Sequence, residues 1–170
     1  GLTFGYTSKG ASDGTNTSDR ILASNINNTP ASSGAVTEIN VYAKKVAADN
    51  LIKGAVYDGS SNLLTPQSSA ATVNSTSYTL YTMSFSGPSV TGGNVYYPTI
   101  HMDCDLTNHL LIAADTGSAG DSKFQLATYP TFPNPATFSN YGTVRVSIYA
   151  TYTAAGSFSP SISPSLSLSI

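Results

Sequence analysis

Val144-Arg145-Val146-Ser147-Ile148-Tyr149-Ala150-Thr151-Tyr152 alternates apolar with polar side chains at a period of two. In an extended chain successive side chains point to opposite faces, whereas a helix would repeat every 3.6 residues. The stretch therefore predicts a strand with Val144, Val146, Ile148 and Ala150 turned inward and Arg145, Ser147 and Thr151 turned outward. The same rule places Ile39, Val41 and Ala43 on one face of a second strand, with Glu38, Asn40 and Tyr42 on the other. A third runs from Tyr78 to Phe85, with Thr79, Tyr81, Met83 and Phe85 sharing a face. Further strands are expected over 3–6, 20–24, 52–57, 95–101, 109–114 and 123–128.

Turn-forming clusters separate these runs: Asp13-Gly14, Ser33-Gly34, Asp58-Gly59-Ser60-Ser61-Asn62, Gly92-Gly93-Asn94 and residues 117–121. Helical periodicity is nearly absent; residues 44–51 alone read as a short helix or, equally, as a loop. About nine strands at this spacing predict an all-β, antiparallel, jelly-roll-like sandwich over residues 1–153. Residues 154–170 change composition to a Ser/Pro-rich tail or linker, the signature of a solvated spacer. Yet Phe158, Ile162, Leu166, Leu168 and Ile170 alternate with serine as a strand would, so the tail is also a candidate assembly strand.

Charged residues make up 9% of the 170-residue chain, against roughly 25% in an ordinary soluble protein. With 7 Lys+Arg and a formal net charge of -2, no basic patch exists to steer nucleic acid or an anionic membrane. The aromatic set of 11 Tyr, 6 Phe and no Trp lacks the basic interleaving of a base-stacking platform. No apolar run approaches the roughly 18 residues that a membrane helix requires, and no signal-peptide pattern is present, so an exported form would be the mature chain. The single cysteine, Cys104, allows no intrachain disulfide. Its acidic neighbours Asp103 and Asp105 disfavour a thiolate, and a buried structural role is expected.

The constellations that carry chemistry are few. Gly10-Ala11-Ser12-Asp13-Gly14 matches a nucleophile-elbow pattern, but the elbow needs a following helix and Thr15-Asn16-Thr17-Ser18 is none. His101 and His109 sit in or beside strands, where a structural histidine is expected. Glu38 is the one glutamate, and glycosidase chemistry needs two facing carboxylates. The expectation is therefore no catalytic residue and no required cofactor. For a structural Ca²⁺, Asp13-Gly14-Thr15-Asn16 with Asp19 form the most plausible cluster, since calcium takes clustered oxygen donors from loops. For ligand binding, Tyr129, Phe132, Asn134 and Tyr141 in a proline-broken segment, with Tyr97 before Pro98, offer aromatic faces and amides suited to sugar rings. Asn-x-Ser/Thr sequons stand at Asn16, Asn27 and Asn74 in apparent loops.

Phe4-Gly5-Tyr6-Thr7, the run from Gly34 to Tyr42, Lys53-Gly54-Ala55-Val56-Tyr57-Asp58, the run from Tyr129 to Pro135 and the run from Val146 to Tyr152 resemble anchor-associated β-sandwich modules of secreted microbial and phage surface proteins. The resemblance spans most of residues 1–153. It implies display outside the cell or on a particle surface, and similarity to carbohydrate-binding modules. The functional expectation is a non-catalytic, adhesive, carbohydrate-binding module whose partner is a glycan. The alternative is a structural subunit of an extracellular filament or virion fibre, a homo-oligomer joined to a neighbouring subunit by strand addition through the tail.

Overall fold

The computed structural model describes residues 1–156; the tail residues Phe158, Ile162, Leu166, Leu168 and Ile170 lie outside the described residues. Every regular element among the described residues is a strand: β1 (Leu2–Gly5), β2 (Ser12–Asn16), β3 (Arg20–Ser24), β4 (Gly34–Lys45), β5 (Asn50–Asp58), β6 (Leu63–Leu64), β7 (Ala71–Val73), β8 (Thr79–Ser84), β9 (Ser89–Val90), β10 (Tyr96–Met102), β11 (Leu110–Thr116), β12 (Ser122–Leu126), β13 (Ser139–Asn140), β14 (Val144–Val146) and β15 (Ile148–Ala154). They form two antiparallel sheets packed face to face, the sandwich expected from the alternation. The first sheet is ordered β1-β15-β4-β11-β14, with β2 on β11 and β8 and β9 on β4. The second is ordered β13-β12-β3-β10-β5-β6, with β7 on β5. From β2 to β5, and again from β10 to β12, each connection crosses between the sheets.

The inward residues read from the sequence are the ones that fill the core. Ile39, Val41 and Ala43 are fully buried, together with Leu22, Ile52, Ile100, Leu110, Ile112 and Ile148. Each large aliphatic side chain withdrawn from water here contributes about 1.5–3 kcal/mol. A β-bulge keeps the pattern in phase: Thr151 pairs with Glu38 but Tyr152 pairs with Val36, leaving Thr37 as the extra residue. Val36 and Tyr152 consequently both face inward and are buried.

Several expectations are corrected. Residues 144–152 are not one strand, because Val146 pairs with Ala114 of β11 whereas Ile148 pairs with Val41 of β4. At the corner, the Ser147 N–H donates to the Ala113 carbonyl at 2.8 Å and the Ser147 carbonyl accepts from the Tyr42 N–H at 3.2 Å. Ser147 is also buried rather than outward-facing; the Gly10 N–H donates to its hydroxyl at 3.0 Å. Gly10 is required there, since a Cβ would collide with the Ala114 carbonyl group. Asp13-Gly14, which has turn chemistry, lies instead in β2, paired with Ala113 and Ile112. Gly14 serves a packing need: a Cβ there would approach the Tyr141 hydroxyl at 3.3 Å. Of the two readings left open for 44–51, the loop holds over 46–49 and the helix does not form, because β4 runs through Lys45 and β5 begins at Asn50. Finally, Asn16 of the first sequon is a fully buried strand residue rather than a loop residue, with its amide donating to the Gly14 carbonyl at 2.9 Å.

Candidate functional site

The outer face of the second sheet is apolar. Tyr57 of β5 pairs with Tyr97 of β10, Ala55 with Thr99, and Ile21 of β3 with His101. Left bare, such a face would be a large exposed patch. Residues 127–138 close it as a strap. Phe132, only 7% exposed, lies 6.5 Å from the Tyr57 ring and 5.1 Å from His101. Phe138 meets Tyr57 at 5.3 Å and Tyr97 at 5.6 Å, centroid to centroid. Polar fastenings hold the strap down. The Tyr57 hydroxyl donates to the Pro133 carbonyl at 2.7 Å, and the Tyr129 and Thr137 N–H groups donate to Asp19 Oδ2 at 2.8 Å and Gln125 Oε1 at 2.7 Å. Pro130, Pro133 and Pro135 suit this segment, which joins no sheet and so loses no ladder bond to the missing N–H.

His101 lies fully buried beneath the strap. Burial holds its pKa below the usual histidine value, so the ring is neutral at pH 7 and its Nε2–H donates to the Ala127 carbonyl at 2.9 Å. Nδ1 then has no partner. Tyr129 stands edge-on to this ring at 5.3 Å.

Four of the expected ligand-binding residues therefore share one face. Phe132 is interior, Tyr97 and Tyr129 are half-buried, and exposed Asn134 accepts the Leu63 N–H at 3.1 Å. Tyr141 is elsewhere: it packs against the main core, 5.7 Å from Phe124, with its hydroxyl 3.1 Å from Asn16 Oδ1. Asp13 and Asp19 likewise have separate partners. Asp13 is hydrogen-bonded by the Tyr78 hydroxyl and lies 3.5 Å from Lys44 Nζ. Asp19 accepts the Cys104 N–H on Oδ1 and the Tyr129 N–H on Oδ2, both at 2.8 Å, and so ties two loops to β3. Cys104 itself is buried, and burial pushes its thiol up to about 12.

Among the described residues, the outer face of the first sheet has no strap over its centre. Register places Tyr149 of β15 opposite Asn40 of β4, and Asn40 opposite Thr82 of β8. Tyr42 pairs with Leu80, and Glu38 stands between Thr151 and Ser84. Asn40 is fixed from both sides: its Nδ2 donates to Thr151 Oγ1 at 3.0 Å and its Oδ1 accepts from Thr82 Oγ1 at 2.7 Å. The hydroxyls of Thr3, Thr82 and Ser84 are on exposed residues, Leu80 is 38% exposed, and Tyr42, Tyr149 and Glu38 are half-buried. The Tyr149 pKa is raised by burial, with the nearby Tyr42 and Glu38 adding to the shift. At the margin, Lys44 Nζ lies 4.4 Å from the Tyr78 ring centroid. The result is an open plate of two tyrosines, hydroxyls, one carboxylate and one leucine.

The outward half of the alternation over 37–43 already contained Glu38, Asn40 and Tyr42. What the sequence lacked was the pairing of β4 with β15, which sets Tyr149 beside them. No family model, curated protein or solved structure matches this chain.

Proposed function

We propose that this chain is a non-catalytic surface module, displayed outside the cell or on a particle, that binds an uncharged glycan on the open face of the first sheet. One contrast carries the reading: the aromatic face of the second sheet is closed by its own strap, while Tyr42 and Tyr149 lie on a face that no described residue straps over, among hydroxyls and a fixed asparagine. Tyrosine rings pack on the C–H faces of pyranoses, and hydroxyl, amide and carboxylate groups read the sugar hydroxyls. The low charge of the chain suits a neutral ligand.

Affinity electrophoresis in gels containing neutral polysaccharides tests the reading. Truncating a central aromatic typically costs about 2 kcal/mol, so Tyr42→Ala and Tyr149→Ala should each weaken retention roughly 30-fold. Tyr97→Ala, on the strapped face, should leave it unchanged. Absence of retention in every polysaccharide, or retention insensitive to both Tyr42 and Tyr149, refutes it.

A second reading has its own observation. Where the chain passes into residues 157–170, Gly34, Ala35, Val90, Thr153, Ala154 and Ala155 line a groove of about 490 Å³ beside the end of β15. A serine-alternating apolar segment from a neighbouring copy fits such a groove by strand addition, which would make the chain a filament or fibre subunit. Light scattering on the full chain and on a chain lacking residues 157–170 decides it: a concentration-independent monomer in both sinks this reading.

A further inference from the structure

His101 lies fully buried between the second sheet and the strap that covers it. On its own sheet, register sets Ile21 of β3 on one side and Lys53 of β5 on the other. From the strap, Phe132 and Tyr129 stand edge-on, with ring centroids 5.1 Å and 5.3 Å away. Besides Lys53, the charges felt by the ring are two carboxylates: Asp19, before β3, and Asp103, just beyond β10.

One ring nitrogen holds the strap directly. The Ala127 carbonyl can only accept, so Nε2 carries the proton of the 2.9 Å bond to it. Nδ1 is buried and has no partner. In the neutral ring Nδ1 is an unpaired acceptor, which is a modest cost. A proton on it creates a buried imidazolium with one N–H that meets no acceptor, a far larger cost. Burial accordingly holds the ring's pKa below the usual histidine value; the Ala127 bond and the charges of Asp19 and Asp103 oppose that shift, and Lys53 adds to it.

The strap is the layer that can yield. Residues 127–138 join no sheet and are fastened through scattered bonds to Asp19, Tyr57, Ser61 and Gln125. A segment held in this way opens at a lower free energy than the ladders beneath it. We infer that His101 is an acid-release latch: a proton taken from solvent onto Nδ1 frees residues 127–138 from the second sheet, the two-sheet core stays folded, and the face bearing Ile21, Tyr57 and Tyr97 is uncovered. Once the strap lifts, the charged ring meets water. The sign follows from linkage. A ring kept neutral under cover supports the closed strap in full above its opened-state pKa of about 6.5, and that support is lost as pH falls from there through the covered value. The latch lies on the sheet opposite the face assigned to glycan, so the two readings stand or fall separately.

Amide exchange followed by NMR on the full chain tests this, with protection factors corrected for the intrinsic rate at each pH. If the covered ring stays neutral, linkage raises the open population by about 25-fold between about pH 7 and pH 5. The Tyr129 and Thr137 N–H groups should lose at least about fivefold in protection over that interval, and at pH 5 should be less protected than the ladder N–H groups of β4 and β15. His101→Gln keeps an N–H donor for Ala127 but cannot titrate, and should cut the pH response below about twofold. A response that came from Asp19 or Asp103 would survive that change. His109→Gln, altering the other histidine, should leave the response intact. A smaller loss of protection in the parent, strap and ladder amides equally protected at pH 5, or a full response in His101→Gln overturns the latch. Should His101→Gln fail to fold, the parent's own ring titration decides: a His101 midpoint at or above about 6.5 overturns it as well.

Discussion

Replacing Phe132 with alanine separates a structural strap from a ligand platform. The ring is 7% exposed and packs between Tyr57 and His101. Phe→Ala in a protein core costs about 3–5 kcal/mol, the sum of lost transfer energy and the cavity left behind. The strap is a single layer with solvent beyond it, so it can settle into the gap more readily than a strand can, and the lower end applies: about 3 kcal/mol. Slackening of the strap would also weaken the bond from the Tyr57 hydroxyl to Pro133, worth about 1 kcal/mol. For a domain of this size, about 2–4 °C of melting temperature goes with each kcal/mol, giving a drop of roughly 6–12 °C. Urea unfolding followed by circular dichroism should show a lower midpoint with an unchanged slope, and Phe132→Leu should retain more than half of the lost stability. A loss below about 1 kcal/mol, the scale of an ordinary surface change, would contradict a structural strap. It would mean that the Phe132 ring is dispensable to the fold and return it to the candidates for ligand contact.

Further outcomes follow from single positions. Cys104, buried and with its thiol pushed up to about 12, should resist iodoacetamide at pH 8 in the native state and react once urea unfolds the chain. Gly10→Ala should destabilise by about 2 kcal/mol or more, as a steric change in a packed site does. Its Cβ would press on the Ala114 backbone; a calorimetric melt equal to the parent's would contradict the packing at the Ser147 corner. Asp121 is held below the usual carboxylate pKa, first by the Ser118 N–H and then by Arg145, whose Nε donates to Oδ2 at 2.9 Å. A carboxylate depressed in the folded state contributes stability that is present above its unfolded pKa and lost as pH falls through the folded value. Acid titration below pH 4 should therefore destabilise the parent more than Asp121→Asn, and parallel curves for the two would exclude the contribution.

Alternation revealed the strands and much of the core because a half-buried strand advertises its inward face at period two. Ile39, Val41, Ala43, Met83 and Ile148 all fall where that period puts them. It did not reveal where a strand changes partner. Val144 to Tyr152 keeps its alternation straight through the Ser147 corner, since Val146 and Ile148 face the same core from two different ladders. Asp13-Gly14 misled for the opposite reason: its local chemistry is that of a turn, but it lies in a strand where a Cβ on Gly14 would crowd the Ile112 carbonyl at 3.2 Å and the Tyr141 hydroxyl at 3.3 Å. Aromatic residues in the proline-broken segment were visible as a cluster. Whether a cluster faces solvent or its own sheet depends on what the outer face of that sheet carries, and Tyr57, Ala55 and Ile21 come from strands far away in sequence.

The two outer faces explain each other. On the second sheet, outward positions of β3, β5 and β10 carry Ile21, Ala55, Tyr57 and Tyr97, and bare exposure of that set would invite association. A third layer is the intramolecular answer, and its aromatics are consumed by the sheet they cover. On the first sheet, the outward positions of β1, β4, β8 and β15 carry Thr3, Glu38, Asn40, Thr82, Ser84 and Thr151, which satisfy one another or water and need no cover. Tyr42, Tyr149 and Leu80 are therefore the exceptions on this face: both tyrosines are half-buried and outside the buried core, and Leu80 is 38% exposed. Stability constrains Phe132 and Phe138, whereas it leaves Tyr42 and Tyr149 free, and a pair of aromatics that folding does not demand is where a ligand-binding role is most economically placed. Glycan binding on this face thus has a direct corollary in stability: Tyr42→Ala should shift the melting point far less than Phe132→Ala while abolishing most of the binding.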